Sequence, residues 1–301
     1  MKKKIIIFST SRSDFGILSP LIKLFEIKKK IDHHLILGGD HLLSKKRLNL
    51  IKSNFKVSKF LKFYSHSNYN YKNFCKSMSS LNLKLEKIFN SLDFEYVLIL
   101  GDRSELIPIV HHSIMNKKKI IRIGGGEYTY GAIDNDIRYM VSQIAHMHFT
   151  MHKNYKSNLI NLVKDNFKIF NVGYLGLDEL KKIKKNKVKK QFLLSKFNIQ
   201  SDNYVLFTYH PSLEEVNKKT IHVLKKILFS LIKSKYTVVA THPGMEFQNN
   251  HIKMLYNNLK LNKYFIVFPN LGSYNYLNLL KNSKCIIGNS SSGLIEAPYF
   301  K

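Results

Sequence analysis

The chain has 301 residues, 44% of them hydrophobic, and a formal net charge of +29. That length suits two α/β domains of similar size, each able to bury its own core, and no stretch approaches the roughly 20 apolar residues of a spanning helix, so a soluble chain without a membrane partner is expected. The charge would indicate nucleic acid if it came with a recognised motif, but the lysines are spread over helix faces and turns, which disfavours nucleic acid and leaves an anionic small molecule as the expected partner.

Met1 to Lys4 followed by IIIF is too short an apolar run for a signal peptide, whose core needs roughly 7 to 15 residues, and reads instead as a first strand, Lys3 to Phe8. STSRSDFGILSP then leads into an amphipathic helix carrying Ile17, Leu18, Leu21, Ile22 and Phe25. Arg12 lies in this first βα loop, where a guanidinium beside free helix amides can hold a phosphate; a loop arginine alone is more often a solvated surface residue. His33 to Leu37 predicts a second strand, broken by Gly38 and Gly39. Residues 44–80 lack sustained periodicity and read as helix fragments and loops, and 81–89 as a helix.

Tyr96 to Leu100 predicts a buried strand that ends in Gly101, Asp102, Arg103, Ser104 and Glu105. Asp102 and Arg103 there form either a structural ion pair or cap, or a general base and an anion ligand. After three lysines, Ile120, Ile121 and Ile123 make another strand, stopped by Gly124, Gly125 and Gly126. Glu127, Asp134 and Asp136 follow within ten residues, at the entrance of a helix carrying Ile137, Met140, Val141 and Ile144. Either aspartate alone is explained by capping. Capping accounts for neither the three glycines nor Glu127 beside them, and carboxylates gathered at a strand's carboxyl end suit acid/base work.

A strand over 167–172 closes on GYLGLDEL, which puts Asp178 at a further βα junction. The run KKIKKNKVKKQ, with seven lysines and no acid, marks the domain boundary, so the domains are expected over 1–185 and 186–301. Strands at Val205 to Thr208, Thr237 to Ala240, Phe265 to Phe268 and Cys285 to Ile287 alternate with helices, and two consecutive βα arrays imply two Rossmann-like domains with a cleft between them. His210 closes the first of these strands; a lone histidine is usually structural, but this position suits a phosphate ligand or proton donor. In GNSSSGLIEAP, Ser290, Ser291 and Ser292 open a helix and suit a diphosphate, with Glu296 one turn on for ribose hydroxyls; serines also cap helices without any ligand. Cys75 and Cys285 stand far apart without metal-spaced histidines, so neither a disulfide framework nor a metal site is expected and a reducing cytoplasm fits.

Together STSRSDFG, GDRSE, GGE, GAID followed by IR, SQIAHMHF, VGYLGLD, the HP at 210 and GNSSSGLIEAP resemble the UDP-N-acetylglucosamine 2-epimerase family, in its hydrolysing branch that supplies sialic and legionaminic acid pathways. The resemblance implies a glycosyltransferase-B architecture with a sugar nucleotide in the cleft and no cofactor. It implies removal of the C2 proton while the nucleoside diphosphate leaves C1, then addition of water to give the free 2-epimer. Carried over by position, Asp102, Glu127 and Asp134 are the acid/base candidates, His210 stands with them or at the diphosphate, and Asp178 is a sugar ligand. Arg12, Arg103, Ser290, Ser291 and Ser292 handle the diphosphate and Glu296 the ribose. There are departures. Relatives carry His-Ile-acid or His-Ile-His before GGE where Arg122, Ile123 and Gly124 stand here, so a carboxylate used by some members is absent. A Pro-Asn-small-Asp pattern is replaced by Pro243, Gly244, Met245 and Glu246, and one extra residue between Glu127 and Gly131 resembles bacterial members acting on diacetamido or GDP-linked sugars. Relatives continue beyond the serine motif, so the second domain is expected to be incomplete. A homo-oligomer is left open. A glycosyltransferase using the same nucleotide site and a basic nucleic-acid-binding protein are the competing readings.

Overall fold

The computed structural model describes residues 2–63, 71–130, 132, 134–163, 168–186, 188–210, 218–242 and 249–300, with the backbone alone at 12, 43, 46, 47, 218, 249 and 250. It divides into two compact units, Met1–Leu177 and Asp178–Lys301.

The first unit opens with β1 (Lys3–Ser9), α1 (Arg12–Lys28), β2 (Ile31–Gly38), α2 (Lys45–Asn54), β3 (Val57–Leu61) and α3 (Tyr71–Ser91). It continues through β4 (Tyr96–Leu100), α4 (Leu106–Met115), β5 (Lys119–Ile123), α5 (Asp134–Ile144), β6 (Met147–Thr150), α6 (Lys153–Leu162) and β7 (Lys168–Asn171). The seven strands pair in the order β3-β2-β1-β4-β5-β6-β7, all parallel. A parallel sheet covered on both faces needs strands that are apolar on both sides, and IIIF supplies them. Ile6 and Phe8 pack with Leu81, Leu85, Ile109 and Val141 on one face, while Ile5 and Ile7 pack with Leu18, Ile22 and Ile51 on the other.

The second unit carries α7 (Leu177–Lys185), α8 (Lys190–Lys196), β8 (Tyr204–Thr208), α9 (Lys218–Lys233), β9 (Thr237–Thr241) and α10 (Asn249–Leu259). It ends with β10 (Phe265–Phe268), α11 (Gly272–Asn282), β11 (Ile286–Gly288), α12 (Ser292–Ile295) and α13 (Ala297–Phe300). Its four parallel strands run β10-β9-β8-β11 over a core of Val205, Phe207, Leu224, Leu228, Ile252 and Tyr256. The fold class is therefore α/β with two Rossmann-like units. Among the described residues no helix is long and apolar enough to cross a membrane.

Two regions differ from the sequence reading. Within 44–80 lie α2, the edge strand β3 and the first ten residues of α3, which begins at Tyr71 rather than near Leu81. The early turns of α3 are mostly exposed and polar, so no apolar stripe announces them, and β3 buries only Leu61. β6 escapes notice because it is four residues long and alternates half-buried Met147 and Phe149 with buried His148 and Thr150.

Candidate active site

In each sheet the strand order reverses at one place, between β1 and β4 in the first unit and between β8 and β11 in the second. At such a switch point the following loops diverge to opposite faces and leave a crevice at the strands' carboxyl ends, the usual ligand site of doubly wound sheets. STSRSD and GDRSE flank the first, and the segments of His210 and GNSSSG flank the second.

At the first switch point, Ser11 caps α1 by accepting from the Asp14 amide at 3.2 Å. Arg12 is the first residue of α1, and its side chain lies outside the described residues. Arg103 reaches Asp14, its Nε standing 3.8 Å from Asp14 Oδ2. Burial pushes the Asp14 carboxyl above its usual range, with Arg103 opposing the shift. Burial likewise pushes the fully enclosed Glu105 up to about 7, reinforced by Asp14 and Asp40.

Asp102 is held by Arg138, the arginine of the IR that follows GAID. Arg138 is 7% exposed and donates from Nε to Asp102 Oδ2 at 3.0 Å, with a second bond from Nη2 to the same oxygen. Its Nη1 donates to the Glu127 carbonyl at 3.1 Å and to Asn135 Oδ1 at 2.7 Å, and Nε lies 4.0 Å from Glu127 Oε2. One guanidinium thus gathers both carboxyl residues, using the forked geometry that lysine lacks. Asn135 completes the frame by exchanging two hydrogen bonds with the Thr129 backbone, which fastens the loop after Glu127 to α5. Asp134 is exposed at the first turn of α5, and desolvation first and the Asp102 charge second push its carboxyl upward. Gly131 and Ile133 lie outside the described residues.

The three glycines all have positive φ, at +87°, +105° and +81°, which non-glycine residues rarely adopt. Gly126 has no room for a side chain, because a Cβ would collide with the Tyr155 carbonyl oxygen. The turn brings Glu127 back so that its Oε2 accepts from the Gly125 amide at 2.7 Å, and a Cβ built on Gly124 would lie 3.4 Å from Glu127 Oε1. The Glu127 carboxylate therefore lies against the space that a side chain at position 124 would enter.

In the second unit β8 runs into Tyr209 and His210; Pro211 and Pro243 to Glu246 lie outside the described residues. Asn289 grips His210 through its backbone, accepting from the amide at 2.7 Å and donating to the carbonyl at 2.6 Å. β8 and β11 approach so closely here that a Cβ on Gly288 would strike the Thr208 carbonyl. The three serines separate by role: Ser292 is buried, Ser290 accepts from the Ser292 amide at 3.3 Å, and Ser291 is exposed. Glu296 follows half-buried at the end of α12, its amide donating to the Ser292 carbonyl at 3.1 Å. Asp178 is exposed in the first turn of α7, within the second unit.

The site residues that sequence reasoning passed over are Arg138, Asn135 and Asn289. The signal was present, since a charged residue on the inward stripe of an amphipathic helix, as Arg138 is beside Val141 and Ser142, has to find a buried partner.

Known proteins match along the whole chain. A protein of Campylobacter jejuni named GDP/UDP-N,N'-diacetylbacillosamine 2-epimerase (hydrolyzing) is 32% identical over all of this chain and 79% of its own length. A Legionella pneumophila protein named UDP-N,N'-diacetylbacillosamine 2-epimerase (hydrolyzing) is 25% identical over the same shares. Among solved structures, the S. aureus MnaA–UDP co-structure superposes with a TM-score of 0.81 at 20% identity, covering 100% of this chain and 78% of that one. The Methanocaldococcus jannaschii UDP-GlcNAc 2-epimerase in complex with UDP-GlcNAc and UDP gives 0.80 at 21% identity over 100% and 82%. These likenesses place the two-unit fold in the glycosyltransferase-B class. Because the family model described as UDP-N-acetylglucosamine 2-epimerase spans residues 24–301, from the last turns of α1 through GDRSE and the glycine turn to the serine turn, the chain belongs to that family.

Proposed function

We propose that the protein is a hydrolysing 2-epimerase that converts a nucleotide-linked 2-acetamido hexose into the free 2-epimer and a nucleoside diphosphate. A base takes the C2 proton as the C1–O bond to the diphosphate breaks, leaving a 2-acetamidoglycal with its double bond between C1 and C2. Water then adds its oxygen at C1, and a proton returns to C2 on the opposite face; the balance is one water consumed per nucleoside diphosphate released. Such a reaction needs two proton-transfer groups with separate tasks near C2 and cationic or hydroxyl groups at the diphosphate.

The observation that carries this reading is the Asp102–Arg138–Glu127 cluster, two carboxyl residues brought to one guanidinium at the carboxyl ends of β4 and β5. Asp102, Glu127 and Asp134 are assigned to proton transfer. Glu127, lying against the space in front of Gly124, is assigned the place of the carboxylate that some relatives carry there. Arg103 and Arg12 in the first unit, and His210, Ser290, Ser291 and Ser292 in the second, are assigned to the diphosphate, Glu296 to the ribose and Asp178 to the sugar. Relatives named for UDP- or GDP-linked N,N'-diacetylbacillosamine favour a diacetamido sugar over UDP-N-acetylglucosamine, and with it a role in nonulosonic acid biosynthesis.

Incubation in D2O with UDP- and GDP-linked N-acetylglucosamine and N,N'-diacetylbacillosamine tests the reading. Free sugar bearing one deuterium at C2, formed in step with nucleoside diphosphate, is expected. Nucleoside diphosphate release without deuterium at C2, or sugar transfer to an acceptor in place of free sugar, would refute it.

A further inference from the structure

The Asp102–Arg138 pair rests on a second arginine. Arg122, on β5, is 1% exposed and among the largest side chains fully enclosed by the fold. Its Nη2 donates to the Gly101 carbonyl at 3.2 Å, and its Nη1 donates to both the Arg138 carbonyl and Ser142 Oγ. Ser142 Oγ in turn donates to the same Arg138 carbonyl at 2.8 Å. The glycine turn lies directly over the guanidinium, since a Cβ on Gly125 would stand 3.5 Å from its Cζ and Nε. All three hydrogen-bond acceptors are neutral, so among the described residues this buried cation has no direct ion pair. Glu127 and Asp102 compensate it from further away, against the like charge of Arg138. Burial lowers its pKa to about 10, which leaves it protonated near neutrality. Its register neighbour across β6, His148, is fully enclosed and held neutral, lowered to about 4 by burial and then by the Arg122 charge.

A buried guanidinium is expensive, and an apolar side chain of the same volume is often the more stable choice. Its use here lies in what it joins. Gly101 is the residue before Asp102, and the Arg138 carbonyl belongs to the residue whose side chain grips Asp102 and faces Glu127. Both halves of the pair are therefore fastened through their backbone to one rigid, planar fork, and a shift of β4 against α5 would break bonds to Arg122 before it moved the carboxylates. We propose that Arg122 is a positioning residue for the epimerase chemistry, setting the separation of the β4 exit from α5 and so the placing of Asp102 and Glu127. The inference rests on the function proposed above.

The test compares Arg122→Lys and Arg122→Met with the wild type, by steady-state kinetics with the nucleotide sugar that the wild type turns over, calorimetric binding of the nucleoside diphosphate, and crystal structures. Lysine keeps the charge but cannot reach three acceptors at once, so its kcat should fall about 5-fold, and that of methionine about 30-fold or more, with KM and nucleoside diphosphate affinity within about 2-fold of wild type. The Asp102–Arg138 contact should lengthen in the lysine variant's structure, a readout that needs no turnover. A folded lysine variant with wild-type kcat, or one whose Asp102–Arg138 pair is unchanged, would overturn the inference, as would kcat and KM worsening together in proportion to lost thermal stability. Failure of the wild type on every nucleotide sugar would refute the proposed function instead, and the structural arm would still decide the role of Arg122.

Discussion

Asn289 holds His210 by both sides of its peptide backbone, its Oδ1 accepting from the amide at 2.7 Å and its Nδ2 donating to the carbonyl at 2.6 Å. The asparagine of the serine motif thereby closes the switch point of the second sheet and fixes where the His210 side chain starts. Aspartate at 289 would keep the acceptor but turn a carboxylate oxygen against the His210 carbonyl. Asn289→Asp should cost about 1 kcal/mol of stability, the modest value fitting an exposed pair, and weaken nucleoside diphosphate binding about 10-fold. Urea unfolding and calorimetry measure the two, and unchanged affinity in a folded variant would separate Asn289 from the site.

Asp102→Asn and Glu127→Gln should each lower turnover by about 10²-fold or more while nucleoside diphosphate binding is retained, the range expected when an acid/base group is lost. Arg138→Lys should fall with them, because a single ammonium cannot supply the fork that spans Asp102, Glu127 and Asn135. Near-wild-type release of nucleoside diphosphate by either carboxyl variant would remove that residue from the proton-transfer role.

What could be read from the chain alone was whatever depended on local pattern. The apolar runs at Ile5 to Phe8, Val97 to Leu100 and Val205 to Thr208 are strands because a sheet covered on both faces favours side chains that are apolar on both sides, and the last two run into Gly101-Asp102 and Tyr209-His210 at their carboxyl ends. The three glycines before Glu127 announced the end of the strand, and all three have positive φ. Partnership was not legible. Arg103 follows Asp102 in sequence yet pairs with Asp14, while Asp102 takes Arg138 from 36 residues away. Adjacent residues at a strand exit point in different directions, and which helix returns beside which strand is a property of the sheet order, β1-β4-β5, that no short window contains.

The three serines are predicted to behave differently. Ser291→Ala removes an exposed hydroxyl at the start of α12 and should weaken nucleoside diphosphate binding about 3- to 10-fold with little loss of stability. Ser292→Ala acts in a buried position and should show its effect in the unfolding midpoint first. Calorimetry and thermal melts on both variants distinguish them, and equal affinities in all three proteins would contradict the placement of a diphosphate at this turn.

Glu105 makes stability depend on pH in a defined direction. Its carboxyl is raised from 4.5 to about 7, chiefly by burial, so between those values the native state holds a proton that the unfolded chain has released. The native state then binds more protons, and stability falls as pH rises through that window. At about 1.4 kcal/mol per pH unit the loss attributable to this group reaches up to about 3 kcal/mol above neutrality. Glu105→Gln should match the wild type near pH 5 and be the more stable protein at pH 8. Urea unfolding at the two pH values provides the check; a constant difference between the proteins would show that Glu105 does not titrate in this range.

The glycine turn gives the sharpest structural prediction, because two glycines of nearly equal φ sit in different surroundings. Gly126 has φ +81° with the Tyr155 carbonyl where a Cβ would go, whereas Gly173 has φ +82° and nothing within 4 Å of that position. Gly173→Ala therefore carries backbone strain alone, about 1 kcal/mol. Gly126→Ala carries the same strain and must also push α6 away from the turn, against the bond from Asn158 Nδ2 to the Gly126 carbonyl at 2.9 Å, so its cost should be about 3 kcal/mol or more. The displacement would move Glu127, the next residue, and turnover of the alanine variant at 126 should fall well beyond its loss of folded protein, while the variant at 173 keeps wild-type turnover. Denaturant unfolding and kinetics on both proteins test this, and equal stability losses at the two positions would show that the Tyr155 carbonyl yields freely and that the turn is not held as described.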